Sequence, residues 1–367
     1  MARAPNAVDF WRGFALLSIF VNHIPGNVYA ALTHRNVSFS DSADLFVFLA
    51  GWALRIVIEK TGGEHGPFRP IALRLLARVW KIYAAQLVTV FLAIAILATA
   101  ALATGDANYY QWNGAGPVFE DPARAHIGLV LLTYHLNLFD ILPLYVVLTL
   151  MAVGFVAIDR ARPNLLLPAS LALYLVTLLF GLQPPTWPRH DVPWIFNPFA
   201  WQLIFVLGFT LACPSHPAGA FARAHLARLR LLALPLLVVL AVMAWFHLWP
   251  GTDRLPLLLA LERSYATPIR IVQFLALIAV FSAAYRFIEP AAPRLVAFLS
   301  RLGRNSLYVF CVASILSLIG LIFRVSLGGS FALDTATTAI GVFFMWLTAW
   351  LAEAGKNGKK VMPSERV

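Results

Sequence analysis

The stretch DFWRGFALLSIFVNHIPGNVY, Asp9 to Tyr29, decides how the rest of the chain is read. It is apolar and long enough to span a membrane, yet it carries Asp9, Arg12, Asn22 and His23. At about 1.5 Å and 100° per residue, the step from Arg12 to His23 returns to within about 20° of the same helix face, about 16 Å further along. One stripe therefore holds a cation near one end and an imidazole well into the apolar span. Ionisable groups at that depth are costly unless they face a bundle interior or a watery cavity, so the stripe reads as a functional site. A histidine satisfied by a neighbouring helix is the plainer reading of His23 taken alone.

With 367 residues, 60 % of them apolar and 12 % charged, and a mean hydropathy of +0.76, the chain is excluded from the ordinary water-soluble domains. Its long apolar runs do not alternate with period two, which favours helices over a β-barrel. The expected fold is an all-α, polytopic membrane helix bundle forming a single domain over 1–367, with a polar cytoplasmic tail over 353–367. About ten transmembrane helices are expected: Asp9–Tyr29, Leu45–Ile58, from the Arg74–Lys81 region to Ala103, Asp140–Ile158, Leu165–Leu182, Pro198–Ala212, Leu231–Leu248, Pro268–Ala284, Asn305–Phe323 and Leu333–Leu351. The first is stopped around Pro25 and Gly26, and Ile127–Leu138 reads as a re-entrant or interfacial piece.

A net charge of +11 would suggest nucleic acid in a soluble protein, but sorting the cations by loop gives another answer. With both termini cytoplasmic, roughly twenty of the 28 Lys and Arg fall inside and about seven outside. The bilayer, not a nucleic acid, is the expected partner. Arg12 interrupts the first apolar run, so it reads as an uncleaved span and not a signal peptide. A disulfide between Cys213 and Cys311 is not expected, because one falls at an inner helix end and the other inside a helix.

Arg74, Arg78 and Lys81 repeat at helical spacing on one face, suited to an anion or simply to lipid phosphates on the positive-inside side. Tyr109, Tyr110 and Trp112 make an interfacial belt or a surface for stacking on sugar rings. An outer loop carries Arg254, Glu262 and Arg263, and Arg270 is a further charge inside an apolar run.

Asp9, Arg12-Gly13 and His23, followed by Asp44-Leu45-Phe46-Val47-Phe48-Leu49-Ala50-Gly51, resemble the opening of the acyltransferase-3 superfamily of membrane acyltransferases. Thr33-His34-Arg35-Asn36 through Ser40-Asp41, Asp140-Ile141-Leu142-Pro143-Leu144-Tyr145, Phe196-Asn197-Pro198-Phe199-Ala200-Trp201-Gln202 and Leu302-Gly303-Arg304-Asn305-Ser306 are more narrowly similar to its OpgC branch. That branch is associated with succinyl substitution of osmoregulated periplasmic glucans. The resemblance implies a multi-pass protein of the bacterial inner membrane. It would pass an acyl group from cytoplasmic acyl-CoA, succinyl-CoA or acetyl-CoA, to a hydroxyl of a periplasmic glucan or another glycan. No permanently bound cofactor is implied, and the His and carboxylate positions lack a metal-ligand spacing.

The residue chemistry agrees. Coenzyme A is an anion with a long neutral arm, so it wants cations at the inner face and a base deeper in; Arg12, Arg74, Arg78 and Lys81 supply the first and His23 the second. His23 is expected to act as general base, since an imidazole titrates near neutral pH. Asp44 either orients it or is a carboxylate favoured by the start of its own helix. Asn22, Arg35, Asn36 and Gln202 are candidate oxyanion donors. Asp140, Asn197 and Trp201 fit acceptor binding, or equally capping and packing. One departure matters: where many superfamily members carry a histidine after the motif that opens the expected Asn305–Phe323 span, this chain has Ala313. An O-acetyltransferase of another surface polysaccharide, or a transporter of a glycan or acyl compound, are the rival functions.

Overall fold

The computed structural model describes residues 4–61, 66–248, 257, 258 and 260–361, the last five by backbone alone. Arg254 lies outside the described residues. The described chain is helical: α1 (Ala7–Asn22), α2 (Ser42–Lys60), α3 (Phe68–Thr104), α4 (Gly116–Glu120), α5 (Pro122–Leu131), α6 (Ile141–Ala161), α7 (Pro163–Phe180), α8 (Pro198–Ala212), α9 (Pro217–Ala224), α10 (Leu226–Trp245), α11 (Pro268–Phe281), α12 (Ala284–Ala291), α13 (Pro293–Arg304), α14 (Ser306–Leu327) and α15 (Phe331–Val361). Six of these, α3, α6, α7, α10, α14 and α15, are long and apolar enough to cross a membrane, or up to eight if each of two bent helix pairs counts as one span. This is a multi-pass membrane protein. A helix occupies each of the ten expected places, but α1 has only 16 residues, and α2 carries Asp44, Arg55, Glu59 and Lys60.

The chain folds into two compact units, Met1–Thr33 with Ala283–Val367, and His34–Ser282. In the first, α1 packs on α13 so closely that a Cβ on Gly13 would meet the Leu299 carbonyl oxygen at 2.0 Å, and one on Gly303 the Asp9 carbonyl oxygen at 1.9 Å. Ser317 of α14 donates to the Phe20 carbonyl at 3.0 Å. Asp334 of α15 pairs with Arg324 and accepts from the Val28 amide at 2.9 Å, which fixes the chain as it leaves α1.

The expected first helix is shortened. α1 ends at Asn22 with His23 as its C-cap, and a 3₁₀ turn follows over Val28–Leu32. Pro25 disfavours helical backbone at Ile24, and Gly26 takes a φ of +82°. His23 therefore terminates a helix instead of lying inside one. At the other extreme α3 starts at Phe68 and runs for 37 residues, about 55 Å. That exceeds a hydrocarbon core of about 30 Å, and the helix begins ahead of the start expected near Arg74.

In the second unit α2 and α8 touch through glycines as well: a Cβ on Gly51 would lie 1.9 Å from the Phe205 carbonyl oxygen, and one on Gly208 2.0 Å from that of Phe48. The side-chain pairings described below set α2, α6 and α8 parallel, with α11 starting at the same end as they do. α8 turns by 71° into α9. Ile127–Leu138, read from sequence as re-entrant or interfacial, splits into α5 and a turn in which Leu132 and Leu138 have φ of 56° and 73°. That turn is tied to the 183–197 loop by Thr133, whose carbonyl accepts from the Trp187 amide at 3.0 Å and whose hydroxyl donates to the Trp187 carbonyl at 3.0 Å.

Candidate functional site

The expected site residues divide between the units: Arg12, Asn22 and His23 lie in the first, the others in the second. Asn6 caps α1, its side chain accepting from the Asp9 amide at 3.0 Å and donating to the buried Asp9 carboxylate at 2.6 Å. Arg12 follows on the same helix and is partly buried, as is His23 at the helix end. His23 thus stands at the C-terminal end of α1, where the helix dipole places its partial negative charge. Asn22, beside it, accepts from the Thr33 hydroxyl at 2.9 Å.

In the second unit, charge gathers where α2, α6, α8 and α11 begin. Asp41 caps α2, accepting from the Ala43 amide at 2.8 Å, while the Asp44 carboxylate returns to the Asp41 amide at 2.8 Å. The expected capping role of Asp44 is thus real, and a second partner is added. Arg270 of α11 reaches Asp44 through Nε at 3.0 Å and Nη2 at 2.6 Å, donates from Nη1 to the Phe39 carbonyl at 2.8 Å, and meets Asp41 at 3.2 Å. Arg263 approaches Asp41 at 3.1 Å. Burial pushes the Asp41 carboxyl up, but Arg270 and Arg263 outweigh it and hold it below the usual carboxylate range. Burial likewise holds the His34 imidazole below its ordinary value, against the pull of Asp41.

Trp201 is fully buried. Its indole donates to the Arg263 carbonyl at 3.0 Å, Arg270 stacks 5.6 Å from its centroid, and Phe196 meets it edge-on at 4.9 Å. No face of this ring is open to a sugar. Asn197 caps α8, accepting from the Phe199 amide at 3.0 Å and donating to the Leu182 carbonyl at 2.5 Å. Gln202 locks α8 to α7: it accepts from the Ser170 hydroxyl at 2.6 Å and donates to the carbonyls of Ser170 and Phe199 at 2.8 and 3.3 Å. Asp140 is buried before α6 without a side-chain capping bond, and burial pushes its carboxyl up to about 6 in spite of Arg263 nearby. Arg35 and Asn36 are exposed, as are Arg74, Arg78 and Lys81 along α3.

Asp44, Trp201 and Asp140 are therefore joined by Arg263 and Arg270, which sequence reasoning left as a loop cation and an isolated intramembrane charge. The opposite end of the same helices holds a second group that it did not single out. Arg55, buried in α2, meets Asp159 at 2.5 Å, Glu59 at 3.2 Å and the Cys213 sulfur at 2.6 Å. The available signal was the spacing already used for Arg12 and His23, since Asp44 and Arg55 are separated by the same number of residues on their helix.

The model of the family described as "OpgC protein" matches residues 3–357. The chain belongs to the OpgC family. No curated protein and no solved structure matches it. The matched range includes the segments around Asp44, Asp140, Asn197 and Arg304, which the fold turns into helix starts, a charge cluster and glycine contacts.

Proposed function

We propose that this OpgC-family chain is a membrane O-acyltransferase of the acyltransferase-3 superfamily. It moves an acyl group, foremost succinyl, from cytoplasmic acyl-CoA across the inner membrane to hydroxyls of periplasmic glucans, with both termini in the cytoplasm. The observation that carries the reading is a family match over nearly the whole chain, joined to a helix whose one stripe holds Arg12 and ends on His23. Arg12 and the exposed α3 cations Arg74, Arg78 and Lys81 are suited to the phosphates of succinyl-CoA or acetyl-CoA.

In the reaction an imidazole nitrogen of His23 accepts the proton of a sugar hydroxyl as the oxygen attacks the thioester carbonyl carbon. The C–O ester bond forms, the C–S bond breaks, and coenzyme A leaves as thiolate, taking the proton from His23 to become the thiol. No acyl-enzyme is needed. Asp44 remains the proposed catalytic carboxylate, now one held rigid by Arg270. Exposed Arg35 and Asn36 and the acid Asp140 are the proposed acceptor or oxyanion contacts, with Asn197, Trp201 and Gln202 shaping the region from within.

The test is ester formation by purified protein given succinyl-CoA or acetyl-CoA and a periplasmic glucan, read by mass spectrometry. Succinyl ester confirms the reading, and acetyl ester alone points to the O-acetyltransferase. No acyl transfer with either donor would overturn it in favour of transport.

A further inference from the structure

α1 stops one residue short of the proposed base. The His23 amide closes the helical ladder by donating to the Ile19 carbonyl at 3.0 Å, and Pro25, two residues on, has no amide with which to extend it. From there the backbone is held from outside, by α14 and α15 of the same unit. Ahead of His23, Ser317 of α14 donates to the Phe20 carbonyl at 3.0 Å. Behind it, three successive residues are tied to the first turns of α15. The Asn27 side-chain amide donates to the Thr338 hydroxyl at 3.2 Å, the Val28 backbone amide donates to the Asp334 carboxylate at 2.9 Å, and the Tyr29 and Thr335 hydroxyls share a hydrogen bond at 2.8 Å.

Asp334 is the centre of this hold. Its side chain is 4 % exposed; Oδ2 accepts from the Val28 amide and Oδ1 is paired with Arg324 of α14. The Arg324 guanidinium in turn lies against Gly26 and Gly329. A Cβ on Gly26 would stand 3.0 Å from its Nε and Nη2, and one on Gly329 2.6 Å from Nη2. One ion pair thus joins α14 and α15 to both Gly26 and Val28 of the turn that follows His23. A buried ion pair returns little net stability; what this one fixes is the path of the chain on leaving the base.

We infer that Asp334, together with Arg324, is a positioning residue for His23, acting through the turn and not on the substrate. The inference rests on the reading of His23 as general base and adds what holds that base in place. Proton transfer requires the imidazole and the sugar hydroxyl within hydrogen-bond reach, and a misplacement of about 1 Å is worth about a hundredfold in rate. The ring hangs from the residue at which helical bonding ends, so the tethers on either side, at Phe20 and at Val28, set its direction.

The experiment is a double-mutant cycle on the purified full chain, with kcat and KM for succinyl-CoA or acetyl-CoA measured with glucan as acceptor in wild type, Asp334→Asn, His23→Ala and the two combined. Asparagine keeps the size of the side chain but gives up the charge that holds Arg324. Asp334→Asn is expected to lower kcat by about ten- to a hundredfold, with KM for the donor changed by less than about threefold. In the His23→Ala background the same substitution should alter the residual rate by less than about twofold, because no base is left to place. Thr338→Val removes the Asn27 tether and leaves the ion pair whole; it should show the same pattern in smaller measure, and it decides the question if Asp334→Asn does not fold. Equal slowing in both backgrounds, or a kcat of the folded variants within about twofold of wild type, overturns the positioning role while leaving His23 as the base. A His23→Ala variant as fast as wild type, or a wild type that transfers neither acyl group, overturns the underlying reading instead.

Discussion

Arg270 grips Asp44 at two points, Nε to Oδ1 at 3.0 Å and Nη2 to Oδ2 at 2.6 Å, between residues 226 positions apart in sequence. Asp44 is wholly buried and the Arg270 side chain nearly so, so neither charge has water to fall back on. Desolvating both is expensive, and the pair is tolerable because Asp41, the Asp41 amide and the Phe39 carbonyl take up the remaining valences. The pairing ties the start of α11 to the start of α2.

Removing one member should therefore cost more than removing both. Arg270→Ala strands Asp44 and is expected to destabilise by about 3–5 kcal/mol. Adding Asp44→Asn to Arg270→Ala should recover part of that loss, since an amide is cheaper to bury than a lone carboxylate. Thermal unfolding in detergent measures both. A double variant that melts at the sum of the two single losses would show that the pair is not coupled.

The glycine contacts give a second expectation. Gly208→Ala places a methyl 2.0 Å from the Phe48 carbonyl oxygen, so α2 and α8 must move apart, at about 1–3 kcal/mol. Gly154→Ala in α6, where a Cβ meets nothing within 4 Å, should be neutral or stabilising by up to about 1 kcal/mol through helix propensity. Equal melting shifts for the two would remove close approach as the reason for glycine at 208.

Asp140 makes stability depend on pH. Burial raises its folded pKa to about 6, so its contribution is full below the unfolded value of about 3.9 and is lost as pH rises through 6. A shift of about two units corresponds to roughly 3 kcal/mol. From pH 4 to 7 the wild type should lose melting temperature relative to Asp140→Asn, which cannot ionise. Parallel curves would mean that Asp140 is not held protonated.

Much of the fold was legible because apolar runs of spanning length have few alternatives to helix. The errors lie where local chemistry competes with hydropathy. Charge sets the expected start of the third span near Arg74, yet the Leu, Ala and Arg residues around it are strong helix formers and α3 starts earlier, at Phe68. The basic segment before Asn305 likewise folds into α12 and α13. Pro25 and Gly26 mark a stop whose effect reaches back to His23. At the site, Arg270 could be recognised as a costly charge, but its partner depends on a long-range contact that no spacing encodes. The motif residues Trp201 and Gln202 owe part of their identity to packing, which short-range pattern cannot separate from chemistry.

The last expectation separates catalysis from transport, and it turns on the two α1 residues. Arg12→Ala should weaken acyl-CoA binding by about 1.5–3 kcal/mol through lost charge-assisted contacts, if the phosphates meet it directly. His23→Ala should leave that binding in place and slow ester formation on the order of a hundred to ten-thousand-fold, the worth of one general base. His23→Gln is the decisive variant. A glutamine restores a hydrogen bond at the end of α1 but cannot accept a proton and release it again, so it should be as slow as alanine in an acyltransferase and close to wild type in a protein that uses His23 only as a structural cap. Calorimetric titration with acyl-CoA and mass analysis of the glucan, on samples matched for melting temperature, give both numbers. Substantial ester formation by well-folded His23→Gln would exclude His23 as the base.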